Sequence, residues 1–253
     1  MTATREIWVC HLGSVPYSGG VAMQEELRAR RQAGELPDLL LLLEHPPTYT
    51  VGRRAAAEEL PFPREFYAAK GIEVHGTDRG GRITYHGPGQ LVGYPIMAAP
   101  DVIEHLRAME RAIVAALAEA GVGSRGRVQD GPDYTGVWTQ ERKIASLGVH
   151  VSRGISTHGF AVNVENDLEP FGWVVACGLP DVQMTSIAAE TAGAGEGLAC
   201  FRKRMAFAFC REHGARQRIV TPARLGLPTT QTRSGGPPGP EPPKKTLPHA
   251  VPA

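Results

Sequence analysis

Residues Lys143–Gly178 read KIASLGVHVSRGISTHGFAVNVENDLEPFGWVVACG. Lys143 to Val151 and Ser156 to Val164 are runs of strand length, rich in β-branched residues, and Arg153-Gly154 between them predicts a hairpin turn. An acidic loop, Glu165 to Phe171, follows. An apolar run, Trp173 to Ala176, then ends at Cys177 beside Gly178. The stretch thus begins with a lysine in an apolar setting and ends with a cysteine next to a flexible residue.

Outward from this hairpin the chain alternates strands with helices. Ile7 to Leu12 predicts a first strand. Val21 to Ala33 predicts a helix stopped by Gly34. Leu39 to Leu43 is a continuous aliphatic run, as expected of a central strand covered on both faces. His45-Pro46-Pro47 forces an extended loop. The following TYTVGRR is expected to bring Tyr49, Arg53 and Arg54 to a pocket rim. Ile72 to His75 is a short strand candidate. Arg79–Pro95, RGGRITYHGPGQLVGYP, has five glycines in seventeen residues. It predicts two strands, Ile83 to Tyr85 and Gln90 to Tyr94, joined by a turn at Gly87-Pro88-Gly89. A hairpin alone does not need that much glycine, whereas a backbone that closely approaches a ligand does.

Asp101 to Gly121 is the clearest helix. Asp101 and Glu104 form its N-cap, and Val102, Ile103, Leu106, Met109, Ile113, Val114 and Leu117 form one apolar stripe. Val137-Trp138 predicts a further strand. Thr185 to Glu190 and Gly197 to His213 predict two helices, the second with Leu198, Phe201, Met205 and Phe209 on its inner face. Cys200 and Cys210 lie in that helix and are expected to be inert core thiols. Eight of the 21 prolines fall in the last 26 residues, so 226–253 reads as a disordered, Pro-rich tail after a domain spanning 1–225.

Composition narrows the function classes. Hydrophobic residues make up 42% and the net charge is +1, so no global field favours nucleic acid or an acidic membrane surface. The longest aliphatic run is too short to span a bilayer, and the N-terminus lacks the apolar core of a signal peptide. The four cysteines form no CxxC pair. They are expected to be free thiols in a reducing cytoplasm, with two disulfides as the other possibility.

A thiolate is a nucleophile, and a nearby amine can take up its proton or stabilise its charge, so Cys177 and Lys143 together have the chemistry of acyl transfer. A cysteine at its usual pKa of about 8.5 is mostly thiol at pH 7 and needs a cation or base beside it. No histidine flanks Cys177 directly. The candidate partners are His86, His150, His158 and Lys143. Considered alone, a strand lysine among apolar residues is expected to snorkel to solvent.

EHPPTYTVGRR, RGGRITYHGPGQLVGYP, KIASLGVHVSRGISTHGFAVNV and ACG followed by TSI resemble the lipoyl(octanoyl) transferases of lipoate biosynthesis. The resemblance runs in register from Leu39 to Ile187 and in layout over 1–220. It implies an α+β fold, a mixed β-sheet with flanking helices like the catalytic module of biotin protein ligases and lipoate ligases. It also implies a cysteine–lysine dyad, with Cys177 as nucleophile and acyl carrier and Lys143 as its proton partner. The family's substrate-binding segments match Arg79, Gly80, Gly81, Arg82, Ile83, Thr84, Tyr85 and His86, then Ser146, Leu147 and Gly148, then Gly159, Phe160 and Ala161. Ala176 departs from the pattern, since many members have proline there.

The activity implied is transfer of octanoyl from octanoyl-acyl carrier protein to the lysine of lipoyl domains. The implied partners are acyl carrier protein, the lipoyl domains of 2-oxoacid dehydrogenase complexes and the glycine cleavage H protein, with no nucleic acid or membrane, and the protein is expected to be a cytoplasmic monomer. No cofactor is implied, neither ATP nor metal, because the acyl group arrives on the carrier's phosphopantetheine. Three other readings compete. An ATP-dependent lipoate or biotin-type ligase would not need the cysteine. A cysteine thioesterase would release free octanoate. A binding module would hold acylated carrier without turnover.

Overall fold

A computed structural model describes residues 5–179 and 181–228. Its elements are β1 (Glu6–Ser14), α1 (Tyr17–Gln32), β2 (Asp38–Glu44), β3 (Thr48–Val51), α2 (Arg64–Ala69), β4 (Glu73–Gly76), β5 (Ile83–His86), β6 (Gln90–Ile96), α3 (Val102–Glu119), β7 (Arg125–Gly126), β8 (Gly136–Thr139), β9 (Arg142–Ser152), β10 (Ile155–Asn163), β11 (Gln183–Met184), α4 (Ile187–Glu190), α5 (Leu198–Glu212) and β12 (Arg216–Val220). Among the described residues, nine strands form one mixed sheet in the order β12-β1-β2-β6-β10-β9-β8-β7, with β11 paired to β9. A second sheet has the order β4-β3-β5. This is the expected α+β fold, a mixed sheet with flanking helices.

β2 shows why the aliphatic run is central. Side chains alternate across a strand. Leu40 and Leu42 therefore enter the core beneath α3 and α5, while Leu39, Leu41 and Leu43 enter the core beneath α1. All five are fully buried. β9 and β10 form the long antiparallel hairpin. Arg153 and Gly154 turn it with φ of 49° and 77°, the left-handed pair that matches strand twist.

Several expectations need correcting. β5 and β6 do not pair with each other. β5 pairs with β3 in the small sheet and β6 with β2 and β10 in the large one, so the Gly87-Pro88-Gly89 turn steps between sheets. Gly89 has φ of 85° and packs where a Cβ would meet the Asn166 backbone. Tyr49 lies at no rim. It is fully buried in a third core with Tyr67, Tyr85 and Phe171. α1 begins four residues before Val21, at Tyr17 after Pro16, and the glycine at Gly20 leaves room for the His45 ring, 3.1 Å from where a side chain would start. On α3, Asp101 caps the Glu104 N–H at 3.0 Å as expected, but Val102 and Ile103 are exposed. Met109, Ile113 and Leu117 are buried as expected, together with His105, Ala108, Glu110, Ala112 and Ala116.

All four cysteines are free, but Cys200 is exposed and not a core thiol. Burial does push Cys10 and Cys210 up to about 11. Leu225 and Leu227 are buried beside β1 and α1, so the packed chain continues past residue 225. Residues 229–253 of the anticipated tail lie outside the described residues. Among the described residues no helix is long and apolar enough to cross a membrane.

Burial also sets a pH limit. His45 is fully enclosed, its Nδ1 donating to the Val15 carbonyl at 2.6 Å and its Nε2 accepting from the Tyr94 hydroxyl at 2.6 Å. Burial lowers it to about 4, and lowers His105 to about 4 as well. The unfolded chain binds protons at these sites from about pH 6.5 downward while the folded chain does not. Stability is therefore fully present above pH 6.5 and declines as pH falls towards 4. The decline amounts to about 3 kcal/mol for His45 alone. Thermal unfolding followed by circular dichroism should show the midpoint falling steadily from pH 7 to pH 4.5, and less steeply in His45→Gln.

Candidate active site

The pocket lies over the β9–β10 hairpin and opens to solvent. Ser146, Leu147 and Gly148 of β9 line it, and so do Gly159, Phe160 and Ala161, their partners on β10. The glycines are there for close approach. Gly148 abuts the Gly80 carbonyl, and Gly159, with φ of 154°, packs on the Gly93 backbone and Pro95. From the loop before β5 and from β5 itself come Arg79, Gly81, Arg82, Ile83, Thr84 and His86. Two residues expected at the site stand behind it. Gly80 donates its N–H to the Val149 carbonyl at 2.9 Å, and Tyr85 packs away from the pocket, edge-on to Phe171.

Lys143 and Cys177 meet in this pocket. Lys143 is 1% exposed, so the snorkelling expected of an isolated strand lysine does not occur. Its side chain is held inside by Gly136, where any Cβ would lie 2.6 Å from Lys143 Cε, and its Nζ stands 5.4 Å from the Trp138 ring centroid. Nζ donates to Cys177 Sγ at 3.1 Å, and Ser146 Oγ lies 3.9 Å from the same sulfur.

Cys177 sits in a 3₁₀ turn, Ala176–Gly178, at φ of 59°. That conformation is uncommon outside glycine and costs of order 1–3 kcal/mol. Packing and pairing on either side hold the turn. Ala176 packs into the third core with Tyr85 and Phe171. After the turn, β11 pairs in parallel with β9 and the Thr185 N–H reaches the Lys143 carbonyl at 3.0 Å. Gly178, at φ of 71°, lets the Arg82 side chain lie against it.

The histidines do other work. His86 Nδ1 donates to Gln90 Oε1 at 2.8 Å, and burial, with the nearby His45 and Arg79, holds it neutral, well below the usual imidazole range. His158 lines the pocket but donates to Asp78 at 2.7 Å, with burial lowering it. His150 faces Asp78 at 3.6 Å. None of the three has a hydrogen bond to Cys177 among the described residues, whereas Lys143 and Ser146 do.

Arg79 is 8% exposed and is held by Thr50 and the carbonyls of Gly80 and Arg82, with no carboxylate beside it among the described residues. It places a fixed positive charge in the wall. Thr84 Oγ1 is buried without a partner and faces the same space. At the mouth, Arg82 pairs with Glu59 and with Asp133 at 3.2 Å, and Arg54 pairs with Asp133 at 3.2 Å. Sequence reasoning missed Tyr17, Tyr94, Pro132, Asp133 and Thr135, all of which line the pocket from distant elements. Among the described residues no cluster of three or more His, Cys, Asp or Glu side chains is placed to hold a metal ion.

Comparison with known proteins identifies the family and the fold. Residues 16–209 match the family model described as lipoyl protein ligase A/B catalytic domain. A curated octanoyltransferase of Acidothermus cellulolyticus is 47% identical over 188 residues, covering 71% of this chain and 80% of its own. One from Mycobacterium marinum is 44% identical over 221 residues, covering 83% and 89%. A crystal structure of lipoate-protein ligase A bound with ATP superposes with a TM-score of 0.71 over 87% of this chain and 89% of its own, at 18% identity, and so shares the fold.

The geometry predicts how Cys177 reacts. Lys143→Met fills the same buried space without an amine. Alkylation of Cys177 by iodoacetamide at pH 7.5 should slow at least about 10-fold in this variant. The exposed Cys200 serves as internal reference in the same peptide map.

Proposed function

This chain belongs to the lipoyl protein ligase A/B catalytic family and is an acyltransferase of its octanoyltransferase branch; we propose that it carries octanoyl from acyl carrier protein to a lipoyl-domain lysine through a thioester on Cys177. The observation that carries this reading is the 3.1 Å contact between Lys143 Nζ and Cys177 Sγ inside the pocket.

In the first half-reaction Lys143 takes the Cys177 proton and the thiolate attacks the thioester carbonyl of octanoyl-phosphopantetheine. The carbon–sulfur bond to the carrier breaks, and Lys143 returns the proton to the departing sulfur, so the carrier leaves as a thiol and Lys143 is neutral again. One thioester replaces another, so the step is close to thermoneutral. In the second, a neutral lysine amine of the acceptor attacks the acyl-enzyme and gives its surplus proton to Lys143. The bond to Sγ breaks, an amide is formed, and the thiolate–ammonium pair returns to its starting proton count. Amide formation from a thioester is downhill, so neither ATP nor a metal is required. Splitting the transfer into two steps is covalent catalysis. The oxyanion is stabilised by backbone N–H groups of the glycine-rich segments, although the Gly80 amide is already committed to Val149.

The acceptors in this reading are the lipoyl domains of 2-oxoacid dehydrogenase complexes and the glycine cleavage H protein. The donor is an acidic carrier, and Arg53 is the arginine to meet it. Arg53 is exposed and has no ionic partner among the described residues, whereas Arg54 and Arg82 are engaged with Asp133. Arg53→Glu should raise KM for octanoyl-acyl carrier protein several-fold and leave kcat unchanged. An unchanged KM removes Arg53 from the docking surface.

Steady-state kinetics without nucleotide test the whole reading. Octanoyl-lysine should form with parallel double-reciprocal lines when both substrates are varied. Product that appears only with ATP supports the ligase reading instead, and free octanoate as main product supports the thioesterase.

A further inference from the structure

Glu110 is a carboxylate on the buried face of α3, 4% exposed and with no salt bridge among the described residues. A carboxylate in such a place must be satisfied by hydrogen bonds. Its partners are all main-chain. Oε1 accepts from the Gly136 N–H at 2.9 Å and the Arg127 N–H at 3.2 Å, and Oε2 accepts from the Val128 N–H at 3.3 Å. Those amides belong to the two ends of the 127–136 loop, which carries Pro132, Asp133 and Thr135 to the pocket. Gly126 has no side chain where Glu110 packs against it.

One end of the loop is Gly136, the residue that walls in Lys143. Its φ of 146° lies in the region that favours glycine, and a Cβ there would stand 2.6 Å from Lys143 Cε and 3.3 Å from Nζ. A continuous chain of contacts thus runs from the Glu110 carboxylate through the Gly136 backbone to the Lys143 amine and on to Cys177 Sγ. Burial raises Glu110, the three amides oppose that rise, and so does the charge of Lys143. The carboxylate and the lysine are electrostatic neighbours as well as mechanical ones.

We propose that Glu110 is a positioning residue for acyl transfer: by pinning both ends of the 127–136 loop it holds Gly136, and through it the Lys143 amine, against the Cys177 sulfur. The inference rests on the Cys177–Lys143 reading above. Glu110 touches neither substrate nor sulfur and acts only through Lys143.

Glu110→Gln keeps the shape but offers the Val128 N–H a donor where it had an acceptor. Glu110→Asp keeps the charge and withdraws it by one methylene. Both are compared with wild type below their melting temperatures. The readouts are the pH profile of Cys177 alkylation and the rate of acyl-enzyme formation from octanoyl-acyl carrier protein. In Glu110→Gln, acyl-enzyme formation should slow about 100-fold, the loss that follows a misplacement of about 1 Å at a reacting group. KM for the carrier should hold, and the alkylation profile should move towards that of Lys143→Met. Glu110→Asp should fall between the two. Gly136→Ala, which sets a methyl against Lys143 and the Ala145 carbonyl while keeping the Glu110 side chain, should slow the same step. A Glu110→Gln protein with a lowered melting temperature but a wild-type alkylation profile and acylation rate would show a merely structural role and overturn the inference. Wild type that forms no adduct on Cys177 would overturn the underlying reading instead, so the two failures are distinguishable.

Discussion

The hydrogen bond between a buried lysine and a cysteine in a left-handed turn is the constraint around which the rest is arranged. Neither partner would adopt its state alone. A lysine in a sheet normally reaches solvent, and a cysteine at φ of 59° stores strain. Lys143 is retained because Gly136 and Trp138 close over its stem and head. Cys177 is retained because Ala176 is packed before it and the chain pairs with β9 after it, at Arg142 and Lys143. The strand that supplies the amine is thus also the strand that anchors the cysteine's turn.

Around that contact the two sheets divide the work. The large sheet supplies a rigid floor, the β9–β10 hairpin, whose small residues leave room for a chain to lie on it. The small sheet supplies one wall and the aromatic packing beneath Cys177. The Gly87-Pro88-Gly89 step links the two sheets, which gives a reason for glycine there besides the close ligand approach expected from the sequence. At the mouth, Asp133 and Glu59 engage Arg54 and Arg82, and Arg79 is sealed into the wall. The charge available to meet a partner is therefore narrower than the arginine count suggests.

Much of this was legible in the chain. The aliphatic run of β2, the hairpin turn at Arg153-Gly154 and the capped α3 are local patterns with local causes, and they stand as read. The three glycine-rich segments do converge on one pocket, apart from Gly80 and Tyr85. What was not legible depends on distant neighbours. Burial of Lys143 is decided by Gly136 and Trp138 across a strand pair, and no local rule overrides the snorkelling default. Tyr49 sits in a core assembled from segments more than a hundred residues apart. The pairing of β5 with β3, not β6, follows from sheet-to-sheet packing, to which a turn signal is blind. β12 is a short, mostly polar edge strand with no periodic signature, and it forms because β1 offers a free parallel edge.

The most direct test is the intact mass of the protein within seconds of mixing with octanoyl-acyl carrier protein, with the adduct mapped by peptide. The mechanism predicts one octanoyl group on Cys177 that disappears when an apo lipoyl domain is added and reappears on that domain's lysine. An unmodified Cys177 throughout, while the acceptor lysine still becomes octanoylated, would contradict it and point to direct transfer between the two partners.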